Sequence, residues 1–263
     1  MRIFAQPFHL RFTLPSACVG CARWPAEPLC QECRGAFARL QPRCPGCALP
    51  LAEGLNLCTT CTKNPEPSLS LCCARVAYQY PWTTLLARLK FQGEPAQARL
   101  LGTLMAQIPA LPNLLASATH VAPIPLAPAR LRSRGYNQAW ELLKAMVGAL
   151  PQRVQGMDNR VPCTPALLER TDSSKVQHRL GGAEREANMA GAFSLGAAYR
   201  GKLEGAHIVL VDDVMTTGNT LRTAARLLRD NGACSVAAVV LARTPSPEQA
   251  HLDELPSLED DLP

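Results

Sequence analysis

The stretch that most constrains the fold runs from residue 207 to residue 220 and reads H-I-V-L-V-D-D-V-M-T-T-G-N-T. Its apolar part, residues 208–211, is mostly β-branched and does not alternate with polar residues, which is typical of a strand buried on both faces of a parallel sheet. Two acids, Asp212 and Asp213, follow directly. The sequence therefore predicts a central strand that carries both carboxylates at its carboxyl end, the edge at which open α/β sheets bind ligands.

The residues after the acids form a candidate phosphate-binding loop. Their small side chains let the backbone approach an anion, and a helix predicted over 221–228 would add free N–H groups and the positive end of its dipole. The lysine of a P-loop and the glycines of a dinucleotide fingerprint are missing. A loop that holds one phosphate, beside carboxylates that bind a sugar diol, would suit a ribose 5-phosphate. The alternative is that the loop only caps the following helix and binds no ligand. The loop residues are Thr216, Thr217, Gly218, Asn219 and Thr220.

This segment resembles the signature of type I phosphoribosyltransferases, in which an apolar strand, two acids and T-T-G-x-T bind phosphoribosyl pyrophosphate, PRPP. The resemblance implies that Asp212 and Asp213 contact the ribose hydroxyls and that residues 216–220 hold the 5-phosphate. Because carboxylates also hold Mg²⁺ through water, we expect PRPP to bind together with magnesium. The fold implied is α/β, a type I phosphoribosyltransferase-like domain with a central, mostly parallel sheet.

Eight of the twelve cysteines form four C-x-x-C pairs near the N-terminus. A C-x-x-C knuckle turns tightly enough to present two thiolates to one tetrahedral ion, so four pairs predict two structural zinc ions. The simplest partition is sequential, but interleaved pairing stays open, and disulfides or an iron–sulfur cluster are the alternatives. The predicted ligands are Cys18, Cys21, Cys30 and Cys33 for the first zinc and Cys44, Cys47, Cys58 and Cys61 for the second.

Two further segments carry candidate anion-binding side chains. A basic loop with Arg130, Arg132 and Arg134, followed by Gly135, comes after a strand predicted over 120–126 and suits a pyrophosphate. The polar stretch 170–189 is long for a loop inside a compact domain, and in the phosphoribosyltransferase resemblance it corresponds to the loop that closes over pyrophosphate. Solvated surface loops are the alternative for both segments. The candidate catalytic cations of the second segment are Lys175, Arg179 and Arg185, which would act with the two acids.

Composition and charge divide the chain into three parts. Its 263 residues, 47% of them hydrophobic, are enough for one core and a smaller module. From residue 246 onward there are six acids and no lysine or arginine, which leaves 27 basic against 15 acidic residues elsewhere and favours a polyanionic partner. We therefore predict a Cys-rich double zinc ribbon over 1–63, the α/β domain over 64–245 and an acidic, disordered tail over 246–263. No apolar run approaches the roughly 20 residues of a membrane span, and we predict a cytoplasmic protein.

Taken together, the motifs resemble the ComF family, which includes the GntX-type proteins. The similarity rests on the cysteine pairs, the diacid loop, L-K-F-Q-G at 89–93, R-G-Y-N-Q at 134–138, and a block from Gln177 to Phe193. It implies a double zinc ribbon ahead of a phosphoribosyltransferase-like domain. It also implies a role in DNA uptake during natural transformation, with single-stranded DNA and other DNA-uptake proteins as partners. A homodimer is expected only by analogy with phosphoribosyltransferases.

Two functions are compatible with these motifs. A binding protein would use the PRPP site for sensing while its basic surface contacts single-stranded DNA mainly through charge, because the cysteine-rich segment has few aromatic residues. An enzyme would transfer phosphoribosyl to a nitrogen acceptor and release pyrophosphate, through positioning, Mg²⁺ and charge neutralisation. We expect the binding protein, a PRPP-binding accessory of DNA uptake. An enzyme would need a segment that binds the acceptor, and the sequence contains no recognisable one.

Overall fold

The computed structural model describes residues 16–150, 161–170 and 192–245. The chain divides into two compact units, with the boundary between Arg39 and Leu40. The smaller unit contains the first group of paired cysteines, and the larger unit contains the second group together with the α/β fold. Each unit is described by itself.

The larger unit is built on a four-stranded sheet with the order β1–β6–β5–β2. All three strand pairings are parallel. The central strands β5 and β6 are buried along nearly their whole length, because helices cover both faces of a parallel sheet. The predicted α/β fold with a central parallel sheet is thus confirmed. The strands are β1 (Leu71–Ala77), β2 (His120–Pro123), β5 (His207–Met215) and β6 (Ser235–Arg243).

Two short strands, β3 (Leu168–Arg170) and β4 (Phe193–Leu195), form a separate antiparallel pair. Residues 171–191, which connect the two strands, lie outside the described part of the chain. Leu168, Phe193 and Leu195 join the main hydrophobic core, so this small sheet is attached to the larger unit by apolar contacts.

Helices cover the sheet with their apolar sides. The last helix, α8, places Leu221, Ala224, Ala225 and Leu228 in the same core as residues of β5 and β6. Helices α4 and α7 contact each other and also the sheet. None of the helices in the described residues combines the length and apolar character that crossing a bilayer requires. The helices are α1 (Gln31–Phe37), α2 (Thr59–Lys63), α3 (Trp82–Phe91), α4 (Gln97–Met105), α5 (Leu111–Ser117), α6 (Pro128–Arg134), α7 (Gln138–Gly148) and α8 (Asn219–Asp230).

Gly102 lies where α4 and α7 approach closely. A Cβ at this position would lie 2.5 Å from the Cβ of Ala145 and 2.7 Å from the backbone N of Met146. Gly102→Ala is therefore expected to force the two helices apart and to destabilise the protein by about 2 kcal/mol, as overpacked cores do. A lower melting temperature in thermal unfolding would show this effect.

Gly148→Ala is the matched control, because it also adds one methyl group to a helix but a Cβ there meets nothing within 4 Å. It should leave the melting temperature unchanged or raise it slightly, since alanine favours helix over glycine. Equal melting temperatures for the two variants would mean that α4 and α7 can separate at no cost.

Candidate ligand site at the end of strand β5

Asp212 and Asp213 lie near the carboxyl end of β5, and both are buried, with 9% and 4% of their surface exposed. The Asp213 backbone N–H donates to Asp212 Oδ1 at 2.8 Å, and the Val214 backbone N–H donates to Asp213 Oδ1 at 2.8 Å. These bonds fix the orientation of both carboxylates. Burial, together with the neighbouring charge of Asp213, raises the pKa of Asp212 well above its usual range. The pair is therefore a site where a cation would be strongly stabilised.

Lys90, near the end of α3, provides a positive charge to this pair. Its Nζ lies 2.6 Å from Asp213 Oδ2, and its side chain is only 20% exposed. The lysine charge also lowers the pKa of Asp212, although this effect is smaller than that of burial. Sequence analysis did not identify Lys90 as a site residue. The available signal was its place in the L-K-F-Q-G motif, where a cation follows the buried Leu89.

The loop after β5 turns sharply into α8. Gly218 is the residue before the helix and has φ +83°, in the left-handed region that glycine adopts without strain. Thr216, Thr217 and Asn219 are exposed, and the Asn219 backbone N–H donates to Thr217 Oγ1 at 3.4 Å. The first N–H groups of a helix have no partner within it and lie at the positive end of its dipole. The predicted phosphate loop thus begins three residues after Asp213, at the end of β5, and presents donors for an anion.

The acids open into a cavity of about 790 Å³. Its lining includes the two carboxylates and the cations Lys90, Arg130, Arg134 and Arg170, and of the predicted loop residues it includes Thr220. The cavity therefore combines an acidic patch with several cations. Such a mixture suits a ligand that has hydroxyl groups near one end and several phosphate charges elsewhere.

Arg170, in β3, was not predicted as a site residue. Burial and the charge of Arg130 lower its pKa, whereas the Asp212 carboxylate acts in the opposite direction. Its guanidinium carbon lies 5.2 Å from the centre of the Phe193 ring in the paired strand β4. Sequence reasoning could not find it, because its approach to the cavity depends on the β3–β4 pairing.

The basic segment predicted as a loop is a helix, α6. Pro128 starts the helix because its fixed φ is already helical, and Gly135 ends it with φ +83°. Arg130 and Arg134 line the cavity, whereas Arg132 is exposed and lies outside its lining. This separation follows from helical periodicity, since residues four apart share a face and residues two apart do not.

Arg134 is held in place by neighbours on two sides. Its guanidinium donates to Gln138 Oε1 and lies 5.5 Å from the centre of the Phe91 ring. Phe91 lines the same cavity although 77% of its surface is exposed. Gly135, which was predicted to bind ligand, ends α6 without lining the cavity. Lys175, Arg179 and Arg185 lie outside the described residues, so the predicted closing loop is not placed.

The paired cysteines form two groups of four. Within each group the sulfur atoms lie within 4.8 Å of one another, and the grouping follows the order of the sequence. A tetrahedral ion with Zn–S bonds of about 2.3 Å places its thiolates about 3.8 Å apart. The separation between Cys21 Sγ and Cys30 Sγ is 3.8 Å, and that between Cys47 Sγ and Cys58 Sγ is 3.5 Å. The residues present therefore fit tetrahedral zinc, and all twelve cysteines are free thiols.

Both groups share one backbone pattern. The third cysteine of each group caps a helix, α1 or α2, and its sulfur accepts the N–H of the fourth cysteine. The N–H of the third cysteine donates to the sulfur of the first at 3.4 Å in both groups. Although burial acts in the opposite direction, such N–H donors lower the pKa of Cys18 to about 6 and that of Cys44 to about 7. This pattern favours the thiolate, the form that binds metal, at the first cysteine of each group, whereas burial raises the pKa of Cys33, Cys47 and Cys61.

Comparisons with known proteins match this chain to one domain family and to several relatives. The family model for the phosphoribosyl transferase domain matches residues 168–259. The chain is 30% identical over 241 residues to the DNA utilization protein YhgH of Salmonella typhimurium, covering 88% of this chain and 99% of that protein. It is 31% identical over 222 residues to Competence protein F of Haemophilus influenzae, covering 82% and 90%. A solved structure of the allosteric regulatory enzyme of purine biosynthesis is 21% identical with a TM-score of 0.35, covering 54% of this chain and 25% of that one.

Proposed function

Because the chain belongs to the ComF family, we propose that it binds PRPP with Mg²⁺ at the end of β5 and serves as an accessory of DNA uptake. The observation that carries the proposal is the cavity in which two buried carboxylates lie beside several cations and the first turn of α8. Asp212 and Asp213 would accept hydrogen bonds from the ribose hydroxyls and hold Mg²⁺ through water. The magnesium ion would neutralise phosphate charge in the bound ligand.

The charge distribution gives PRPP one orientation in the cavity. The single 5-phosphate suits residues 216–220, where hydroxyl groups and free helix N–H groups carry no dedicated lysine. The pyrophosphate, which has two phosphoryl groups, suits Arg130, Arg134 and Arg170, whose guanidinium groups can bind phosphate oxygens in pairs. The sugar between them then faces the two carboxylates.

The eight paired cysteines are proposed to hold two structural zinc ions. Every ligand is a thiolate and each set is complete, so no coordination position is left open for a substrate. Structural zinc contributes directly to folding, which a short cysteine-rich segment needs because its own core is small. Thiols of this kind stay reduced in the cytoplasm, which is where we place the protein.

The role in DNA uptake is supported by what the relatives are called, since their names refer to DNA utilization and to competence. A chain with 27 lysine and arginine residues also favours a polyanionic partner. We propose that the partner is single-stranded DNA, with α6 as part of the contact surface.

Calorimetric titration of the zinc-loaded protein with PRPP and Mg²⁺ tests the proposal. We expect binding at one site per chain. A titration without heat at several temperatures would overturn the proposed site. A pyrophosphate-release assay on the same sample, with a panel of nucleobases and amines, then separates the two functions. Release with one acceptor would identify an enzyme, whereas binding without release supports a PRPP-responsive accessory.

Gly218→Ala should weaken PRPP binding by about tenfold or more. A Cβ at this position would lie 2.5 Å from Cε of Met215, and its positive φ costs an alanine about 1 kcal/mol. The strained φ favours another backbone conformation at the start of α8, which would move the donors for the 5-phosphate, and the end of the Met215 side chain must also shift. Gly201→Ala is the control, because its φ of +69° imposes similar strain but a Cβ there meets nothing within 4 Å. If both variants bound PRPP like the native protein, the loop would not be the phosphate site.

Replacing Arg130, Arg132 and Arg134 by alanine should flatten the salt dependence of single-stranded DNA binding. Each phosphate contact contributes about 0.7 to the slope of log K against log salt, so the loss of three should reduce the slope by about 2. Affinity measurements at several salt concentrations, without PRPP, provide the slope. The control removes the same charge from exposed positions elsewhere, Arg99, Arg200 and Lys202. An equal slope in both variants would place the DNA surface away from α6.

A further inference from the structure

Arg243, the last residue of β6, connects the second cysteine group with the loop of the ligand site. It is buried, with 8% of its surface exposed. Its Nε donates to the carbonyl oxygen of Cys47 at 2.7 Å. Its Nη1 donates to the carbonyl oxygens of Met215 at 3.1 Å and of Thr216 at 2.5 Å. One planar guanidinium group thus holds a metal-ligand residue on one side and the start of the phosphate loop on the other.

A second arginine holds the same cysteine knuckle. Arg43 Nη1 donates to the carbonyl oxygen of Ala48, the residue after Cys47, at 2.9 Å. Among the described residues, none of the ion pairs with a carboxylate involves Arg43 or Arg243. An arginine side chain keeps its positive charge at neutral pH even where it is partly buried. One buried guanidinium, that of Arg243, and one half-buried guanidinium, that of Arg43, therefore lie at this knuckle, and neither forms an ion pair with a carboxylate of the described chain.

The loaded cysteine centre is what balances these charges. Four thiolates on one Zn²⁺ carry a net charge of −2, and guanidinium groups bonded to the backbone of the knuckle lie close to that charge. The first centre differs in this respect, because its neighbouring arginines are paired with carboxylates on the surface, Arg23 with Glu32 at 2.8 Å and Arg34 with Glu27 at 3.3 Å. Among the described residues, the second centre thus differs from the first in that its neighbouring arginines, Arg43 and Arg243, form no ion pair with a carboxylate.

The second cysteine group is also attached to the sheet that carries the site. The Cys72 backbone N–H, in β1, donates to the carbonyl oxygen of Pro45 at 2.7 Å. Ala48 belongs to the same hydrophobic core as Met215 and Leu221, which flank the phosphate loop. A displacement of the knuckle would therefore be transmitted to β1 and to the loop through packed contacts and through Arg243.

We infer that Arg243 is a positioning residue through which zinc at the second centre sets the affinity of the ligand site. The inference rests on the proposed PRPP site and adds its regulation. With the metal bound, Cys47 holds the guanidinium group where it fixes the carbonyls of Met215 and Thr216. When zinc leaves, both the negative charge and the fixed knuckle are lost, and the loop loses its anchor. Zinc at this centre and PRPP then bind with positive coupling, which acts equally in both directions.

Zinc release from the full-length, zinc-loaded protein tests the coupling. An excess of chelator with a colorimetric zinc indicator should show two release phases of one ion each, with PRPP and Mg²⁺ present or absent. We expect PRPP to slow one phase by about tenfold, within the usual range of coupling between sites, and to leave the other unchanged. Cys21→Ser, in the first centre, should remove the unaffected phase. If PRPP slowed both phases equally, PRPP would be stabilising the whole chain and not the second centre in particular, and the inference would be wrong.

Arg243→Lys separates positioning from simple structural support. Lysine keeps the charge but cannot donate to both sides from a planar group. We expect this variant to retain two zinc ions, to bind PRPP about tenfold more weakly and to lose the protection of the second zinc. Arg99→Lys, at an exposed position, should behave like the native protein. Full protection in the Arg243 variant would overturn the inference.

The result distinguishes the inference from the proposed function. If the native protein binds PRPP in the calorimeter but neither zinc phase slows, the coupling is wrong and the site stands. If no PRPP binds, the proposed function itself is wrong. The measurement on the native protein does not depend on whether the Arg243 variant folds.

Discussion

The double variant Asp212→Asn, Asp213→Asn is expected to weaken PRPP binding by at least about 100-fold. Hydrogen bonds to charged groups contribute about 1.5 to 3 kcal/mol each, and the variant removes both proposed charged acceptors for the ribose together with the charge proposed to hold Mg²⁺. Asparagine keeps the size of the side chain and an oxygen that can accept the N–H of the next residue, so the backbone bonds seen in the native protein can persist. Calorimetry with PRPP and Mg²⁺ measures the effect.

Two controls accompany this variant. Its zinc content should stay at two ions per chain, because both cysteine groups are separate from the carboxylates in sequence. Asp230→Asn, an exposed acid at the end of α8, removes one negative charge away from the cavity and should leave PRPP affinity unchanged. Native affinity in the double variant would place PRPP elsewhere on the protein.

Lys90→Met should destabilise the unliganded protein by about 2 kcal/mol at pH 8 and by much less near pH 4. Methionine preserves most of the apolar stem but removes the charge 2.6 Å from Asp213, which leaves two adjacent buried carboxylates without this counter-charge. Urea unfolding of the variant and the native protein at pH 4, 6 and 8 gives the difference at each pH.

The direction of the pH dependence follows from the pKa of Asp212. Burial and the charge of Asp213 raise this pKa in the folded state above its value in the unfolded chain, so the folded state retains the proton to higher pH. Asp212 therefore stabilises the fold fully when the pH is below its pKa in the unfolded chain. This stabilisation is lost as the pH rises through its pKa in the folded protein. Without Lys90 the folded pKa rises further, and the loss at high pH becomes larger.

Lys144→Met is the matched control for Lys90. Lys144 pairs with Glu141 at 2.8 Å, but its side chain is 47% exposed, so its removal should change stability by less than about 0.5 kcal/mol at any pH. A loss in the Lys90 variant that is the same at every pH would indicate lost packing of the lysine stem rather than unbalanced charge.

The parts of the fold that could be predicted from sequence are those encoded locally. The non-alternating strand at 208–211 predicted a buried parallel strand, and β5 is central in the sheet. The C-x-x-C spacing predicted thiol groups of four, and the structure brings together two such groups. The helix after the diacid loop begins at Asn219, close to its predicted start, because Gly218 and the apolar periodicity that follows are both local signals.

The residues that could not be predicted act across long separations in the sequence. Lys90 reaches Asp213, and Arg170 reaches the cavity, only because the sheet and the β3–β4 pair bring distant segments together. In the local sequence, Arg243 is a charged residue at the end of an apolar strand. Its contacts with Cys47 and Thr216 depend on the tertiary fold. The sequence predicts a loop for the basic segment because its closely spaced arginines are typical of one. Pro128 and Gly135, at the two ends, provide the helix signal.

The strand order has a consequence for how the protein is made. β6 is the last strand of the described chain, yet it lies between β1, the first strand of the sheet, and β5. Leu71 pairs with Ala237, so β1 cannot pair with β6 until the chain through Ala237 has been synthesised. Parallel pairings between such distant segments form slowly, because a large loop must close first. On the ribosome, the cysteine segments are therefore complete while the nascent chain still lacks its sheet, and the carboxyl end of β5, with its two acids, gains its neighbour β6 only after residue 243 has emerged.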